Sequence, residues 1–242
     1  MNNELLLQSN NDIPFPEAQI TVHQPTINEI SLIGEENFFA GCQLLFLSKD
    51  RFSEKDKSVL ENKDDFDIFM SIMNSRESIK YKNSVLTLLT ILFPGYEIKF
   101  TNDEILLANK DNFARLNKDN FNVFKDILNS MFLLDDEEIS GSKYNPADAR
   151  AAKIAEKLNK GKIAQSKGEQ EQKIAVFSRY ISILSVGLQK DKNQLMEYTV
   201  FQLKDEFVRF QKKQAYDMYL AARLAGAENL EEVDNWMENI HP

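Results

Sequence analysis

One cysteine in 242 residues, Cys42, leaves no intramolecular disulfide to form and no thiolate cluster to hold a metal. A reducing compartment fits that usage. Histidine is nearly as scarce. His23 lies in a stretch broken by Pro14 and Pro16, and His241 is the last residue but one, places that do not hold a zinc pair or a general base rigidly. Both are read as surface residues. Eight glycines offer little material for a phosphate-cradling loop, and no GxSxG, HExxH, Walker or GxGxxG spacing occurs. The composition leaves open one catalytic arrangement, a pair of carboxylates brought together from distant helices. The reading is no enzyme and no cofactor.

Long apolar runs are missing too. The greasiest segment, 85–93, is interrupted by Thr87 and Thr90 and falls far short of the roughly 20 residues that cross a bilayer. Residues 1–10 carry three leucines but no basic leader, so no secretion signal and no membrane partner are expected.

What is present is ordinary for a globular chain: 43% hydrophobic and 28% charged residues, enough to build cores rather than a disordered tail. Seventeen Phe against one Trp is a packing choice, because Phe fills a core without needing a polar partner. Charge is uneven. Residues 1–142 hold 13 basic and 24 acidic side chains, 143–173 hold 8 and 4, and 174–242 hold 8 and 10, for the net −9 of the whole. An acidic body with a short basic connector is poorly suited to phosphate neutralisation, so no nucleic-acid partner is expected. The basic block reads as a solvated helix face.

The longest helical periodicity runs over 174–227. Ile174, Phe177, Ile181, Leu184 and Leu188 recur at alternating spacings of three and four, one stripe of a helix. Thr199 and Gln202 have capping-box spacing and open a second helix. Leu203, Phe207, Phe210, Tyr216, Tyr219, Leu220 and Leu224 carry its apolar residues, and Gly226 ends it. At about 1.5 Å per residue this helix approaches 40 Å. Its aromatics do not share one stripe. Either it lies in the middle of a bundle, or one face is kept for another chain.

Upstream, 1–23 reads as a flexible arm with one strand at 19–22. Thr26 and Glu29 make a capping box for a helix closed by Gly34. A helix with Phe38, Cys42 and Leu45 on one face follows, where Cys42 is a small buried hydrophobe rather than a reactive thiol. A short helix is expected at 53–60. Asp65 opens another with Phe66, Phe69, Met70 and Met73, and Val85, Leu88, Leu89 and Leu92 line the next, up to Pro94-Gly95. Between 96 and 109 the period drops to two, a β-hairpin. Phe121, Phe124, Leu128 and Met131 restore a helix, and an acidic cluster at 135–138 closes this region. A helix over 144–159, entered by Asn145 and Pro146, leads to a flexible stretch at 161–172. Asn229 and Glu232 cap a last helix carrying Val233, Trp236, Met237 and Ile240. The fold class expected is mainly α with a small β-hairpin: an arm (1–23), an acidic α+β domain (24–142), a basic helix and linker (143–173) and an all-α helical domain (174–242).

Several motifs carry a family likeness: Tyr144-Asn145-Pro146-Ala147-Asp148, Phe177-Ser178-Arg179-Tyr180-Ile181, Tyr198-Thr199-Val200-Phe201-Gln202-Leu203, Arg223-Leu224-Ala225-Gly226-Ala227 and Asn235-Trp236-Met237. Together they resemble a family of tailed-bacteriophage proteins from phages of Gram-positive hosts and gut bacteria, described as tail assembly chaperones or tail-module components. The likeness covers roughly the C-terminal hundred residues closely and the first domain loosely, through 23–27 and 33–35. It implies a protein of the host cytoplasm that binds the tape-measure protein, or other tail proteins, until tail-tube subunits replace it, with a homo-oligomer as a further option. The rivals are a structural tail or baseplate subunit and a helical DNA-binding regulator. The candidate partner-binding residues are Phe201, Phe207, Phe210, Tyr216, Tyr219 and Trp236.

Overall fold

Two helices of this chain start side by side on matching caps. Thr26 takes an extended conformation and its hydroxyl accepts from the Glu29 N–H at 3.2 Å, while the Thr26 N–H donates to the Glu29 carboxylate at 2.8 Å. Thr199 repeats the arrangement with Gln202, at 3.3 and 2.9 Å. Each box satisfies helix-end donors that nothing else in the helix can reach. Thr26 and Thr199 form an isolated antiparallel bridge, and the Ile27 N–H donates to the Tyr198 carbonyl at 2.9 Å.

The computed structural model describes residues 4–48, 63–75, 79–134, 176–228, 230 and 232–238. In chain order these form α1 (Glu4–Leu7), β1 (Ile13–Phe15), a 3-10 turn (Pro16–Ala18), β2 (Ile20–Val22), α2 (Ile27–Ile33), α3 (Glu35–Leu45), α4 (Asp65–Asn74), α5 (Ile79–Leu92), β3 (Glu97–Phe100), β4 (Ile105–Ala108), β5 (Phe113–Leu116), α6 (Phe121–Phe132), α7 (Val176–Leu188), α8 (Lys192–Met196) and α9 (Val200–Leu224). The helices expected at 53–60 and 144–159, the acidic cluster at 135–138 and the basic block at 143–173 lie outside the described residues.

The protein is mainly helical, with an α+β N-terminal region and C-terminal helices. Among the described residues the strands make two antiparallel sheets, β1-β2 and β3-β4-β5. The hairpin expected at 96–109 is β3-β4, with Glu97 opposite Ala108 and Phe100 opposite Ile105. A third strand, β5, joins it, with Ile105 opposite Leu116. The Asn109 side-chain carbonyl accepts from the Asp111 and Asn112 N–H groups at 2.9 and 2.7 Å, a turn that folds the chain back for another pass.

The flexible arm is replaced by a packed hairpin. Ile13, Phe15, Ile20 and Val22 point inward from β1 and β2 and are buried, with Phe15 stacked on Phe124 at 5.9 Å between ring centroids. Pro14 does not break β1, because it sits on the outward side of a two-stranded ribbon. The buried Gln24 Nε2 donates to the carbonyls of Leu6, Ser9 and Asn11 at 2.6 to 3.0 Å, tying α1 and the turn after it to the start of α2.

One hydrophobic cluster runs from Leu7 to Phe207. The regions expected as separate domains therefore share a core. Phe38 of α3 is the junction, meeting Phe132 of α6 at 4.9 Å and Phe177 of α7 at 5.7 Å. Buried charges reinforce it. Lys204 Nζ donates to the Leu133 carbonyl at 3.0 Å, at the left-handed end of α6 where the helix dipole favours a cation. Asp205 accepts from Arg209 Nε at 3.1 Å and from Gln8 Nε2 at 3.4 Å.

Glu35 caps α7 from across the core: its carboxylate accepts from the Phe177 and Ser178 N–H groups at 3.2 and 3.1 Å. It lies in the first turn of α3, so its side chain ties that helix to the start of α7. Glu35→Ala is expected to lower stability by about 1 kcal/mol, the usual loss for a helix N-cap, read as a shift in urea midpoint at unchanged slope.

The last expected helix is not formed by the described residues. Residues 232–235 have no regular structure, and Trp236 and Met237 occupy a turn. The Asn235 side chain accepts from the Met237 N–H at 3.1 Å and its carbonyl from the Glu238 N–H at 3.1 Å, which closes a turn where a helix would have to propagate. Lys212 holds Asp234 at 3.0 Å, and Arg209 reaches the Glu238 carbonyl at 3.4 Å, so this segment runs back along α9.

Candidate interaction surface

Along α9 the surroundings change partway. Val200, Phe201, Leu203, Lys204, Asp205 and Phe207 are all buried, while Gln202 and Glu206 on the remaining side are half-buried. Beyond Phe207 no residue of α9 is buried, and the helix projects from the body over its last four turns or so. It ends on a Schellman motif: Gly226 has φ +86, its N–H donates to the Arg223 carbonyl and the Ala227 N–H to that of Ala222, both at 3.0 Å. The projecting part bears Met218, Leu220 and Leu224, 72%, 41% and 89% exposed.

α7 crosses α9 through the stripe read from the sequence: Phe177, Ile181 and Leu184 are buried and Leu188 half-buried. Tyr180 stacks on Phe207 with centroids 3.9 Å apart. At Gly187 the Phe210 ring lies directly on the backbone, and a Cβ there would come within 2.3 Å of Phe210 Cζ. Beside that contact is an open groove of about 430 Å³, lined by Arg179, Ser182, Ile183, Val186, Gly187 and Phe210.

The six candidate residues divide accordingly. Phe201 and Phe207 belong to the chain's own core, so in this fold they are not free surface; the bundle closes round the first turns of α9. Phe210, Tyr216, Tyr219 and Trp236 are half-buried. The Tyr219 hydroxyl accepts from Arg223 at 3.1 Å. The six do not form one patch. Sequence reasoning missed Ile183 and Val186, which lie off the inward stripe of α7; their spacing of three, with Gly187 following, was the available signal.

Elsewhere the ionisable groups knit elements together. Lys190 is partly buried, which alone lowers its pKa, but the Glu206 carboxylate and the Tyr198 hydroxyl, each 2.7 Å away, outweigh that and raise it. A polar cleft of about 670 Å³ runs between α4 and the β3-β4 turn, with Asp67, Asp103, Glu104, Asp119, Lys63 and Lys118 on its walls. Among the described residues no group of three or more His, Cys, Asp or Glu side chains is placed to hold a metal, and no helix is long and apolar enough to cross a membrane.

His23 is part of this knitting rather than a loose surface residue. Its Nδ1 lies 2.9 Å from Asp12 and its Nε2 3.2 Å from Glu29, which joins the turn before β1 to the cap of α2. Burial alone would lower its pKa, but the two carboxylates outweigh burial and hold it above 6.5. Glu29 is pushed up by burial and pulled further down by Thr26 and His23, so it ionises below its ordinary value. The raised His23 contributes stability below about pH 6.5 and loses it as pH climbs through the higher folded value; the Glu29 share is lost only as pH falls through its depressed value. Thermal melts should therefore show stability declining above pH 6.5, and His23→Gln should flatten that decline.

This C-terminal region is also where comparison with known proteins finds a likeness. Residues 167–241 match the family model of the YomV second domain. That family is phage-derived, of the Bacillus phage SPbeta-like kind, which associates the chain with bacteriophage. The YomV second-domain match takes in α7, α8 and α9, hence the groove and the projecting end of α9, and covers under a third of the chain. Curated proteins and solved structures give no match.

Proposed function

We propose that this is a non-catalytic phage tail assembly chaperone that binds the tape-measure protein in the host cytoplasm during tail morphogenesis. The reading rests on one observation: the region matching a phage-derived domain leaves apolar side chains uncovered on α7 and on the free half of α9, with Val186 81%, Met218 72% and Leu224 89% exposed. Apolar surface on helices suits reversible contact with another amphipathic helix, and the net charge of −9 keeps such a protein soluble while that surface is vacant. A structural tail or baseplate subunit would use the same surface permanently.

Two measurements test this. Co-purification of the tagged chain from infected cells should bring down the tape-measure protein, and mass spectrometry of purified virions should find the chain nearly absent. Its presence at fixed stoichiometry in virions would make it a structural subunit instead, and a pull-down without the tape-measure protein would remove the proposed client.

A further inference from the structure

We propose that the groove between α7 and Phe210 seats an amphipathic helix of a partner that presents apolar side chains to the floor and a carboxylate to Arg179. This deepens the chaperone reading and rests on it for the identity of the client. The groove is built by the meeting of two helices: Gly187 has no side chain, so the Phe210 ring lies against the α7 backbone and forms one wall. Ile183 and Val186, 37% and 81% exposed, supply the other apolar surface. Its lining has one charged group, Arg179.

Charge decides the occupant. The Arg179 guanidinium lies 5.9 Å from the Tyr180 ring and has no carboxylate partner among the described residues. Glu35, bonded next door, spends its two oxygens on the Phe177 and Ser178 N–H groups, and the carboxylates of α9 are held by other cations, Asp205 by Arg209, Glu206 by Lys190 and Asp217 by Lys213. In a chain with 38 acidic and 29 basic residues, a cation left over beside an apolar groove calls for an anion from outside. A second copy fits poorly. A two-fold contact sets a patch against itself, and this patch has positive charge only.

The test uses the full-length chain, 15N-labelled, and two synthetic helices of about five turns. Both carry leucines at spacings of three and four; one ends in Glu and the other in Lys. The Glu peptide should move the amide signals of Arg179, Ile183 and Gly187 and bind about tenfold more tightly than the Lys peptide. Val186→Asp alters a side chain already in solvent, so folding is kept while binding drops at least about tenfold. Arg179→Glu should reverse the preference between the peptides. Equal binding of both peptides by the unaltered chain, no binding of either, or binding indifferent to Val186→Asp overturns the proposal. A dimer in sedimentation that Val186→Asp breaks also overturns it, by giving the groove to a second copy. The two readings fail separately: capture of the tape-measure protein with peptide binding unaffected by Val186→Asp sinks the groove alone, whereas a stoichiometric place in the virion with the peptide results as expected sinks the chaperone alone.

Discussion

Phe177→Ala is expected to destabilise the whole chain by about 3–5 kcal/mol, the range for removing a buried aromatic ring. Phe177 is 1% exposed and lies among rings from other parts of the chain: Phe39 stacks on it at 5.3 Å, Phe38 meets it edge-on at 5.7 Å, and Phe38 in turn meets Phe132 at 4.9 Å. Little can collapse into the space, because Phe38 is already held by Phe39 and Phe132. The loss should also be shared. If α3, α6 and α7 form one cooperative unit, amide hydrogen exchange will speed up by similar factors in all three. Faster exchange confined to α7, α8 and α9 would mean that the C-terminal helices open by themselves, as two separate domains would.

That sharing could not be read from the sequence, although the helices could. Amphipathic stripes report what is buried without saying against what. Val85, Leu88, Leu89 and Leu92, and equally Phe121, Phe124, Leu128 and Met131, are buried as their spacing requires. Thr26 with Glu29 and Thr199 with Gln202 cap where expected because a capping box is wholly local. The strands were harder. β1 has three residues with a proline at its centre, and β5 puts Phe113 outward at 51% exposure, so hydrophobicity alone misreports its facing. The expected last helix failed because Asn235, in its middle, turns its side chain onto the Met237 N–H and closes a turn where the helix would have to propagate.

The candidate surface was half legible for a related reason. Two readings of α9 were open, a helix inside a bundle and a helix with a face kept for another chain, and each describes part of its length. Up to Phe207 the core covers most of its circumference; past Phe207 its sides are partly or fully open. A hydrophobic pattern carries no mark for the point at which neighbouring helices stop, since that depends on where α6 and α7 end in space. Phe201 and Phe210 therefore looked equivalent in sequence, while one is 1% exposed and the other forms the wall of an open groove.

Gly41→Ala brings out the same dependence on neighbours. In an exposed helix the change would gain about 1 kcal/mol, because glycine is the poorer helix former. Here the added Cβ would lie 2.9 Å from Leu88 Cβ and Cδ2 and 3.0 Å from the Ser84 carbonyl oxygen, where α3 crosses α5. Leu88 is fully buried and the Ser84 oxygen is part of a helix backbone, so α3 and α5 must separate. Overpacking of this kind costs about 1–3 kcal/mol and should exceed the propensity gain. The net expectation is a loss of up to about 2 kcal/mol, visible as a lower urea midpoint at the same slope. Gly187→Ala is the comparison that isolates the cause. Its Cβ would come even nearer to its neighbour, 2.3 Å from Phe210 Cζ, but that atom is the far end of a half-buried side chain that can swing into solvent. Gly187→Ala should leave stability within about 0.5 kcal/mol, the span of ordinary surface changes, and displace the Phe210 ring, read as a loss of contacts between Phe210 and Gly187 in nuclear Overhauser spectra. A larger loss at Gly187 than at Gly41 would mean that closeness alone sets the cost, and would refute the assignment of rigidity to the α3-α5 crossing and of compliance to the groove wall.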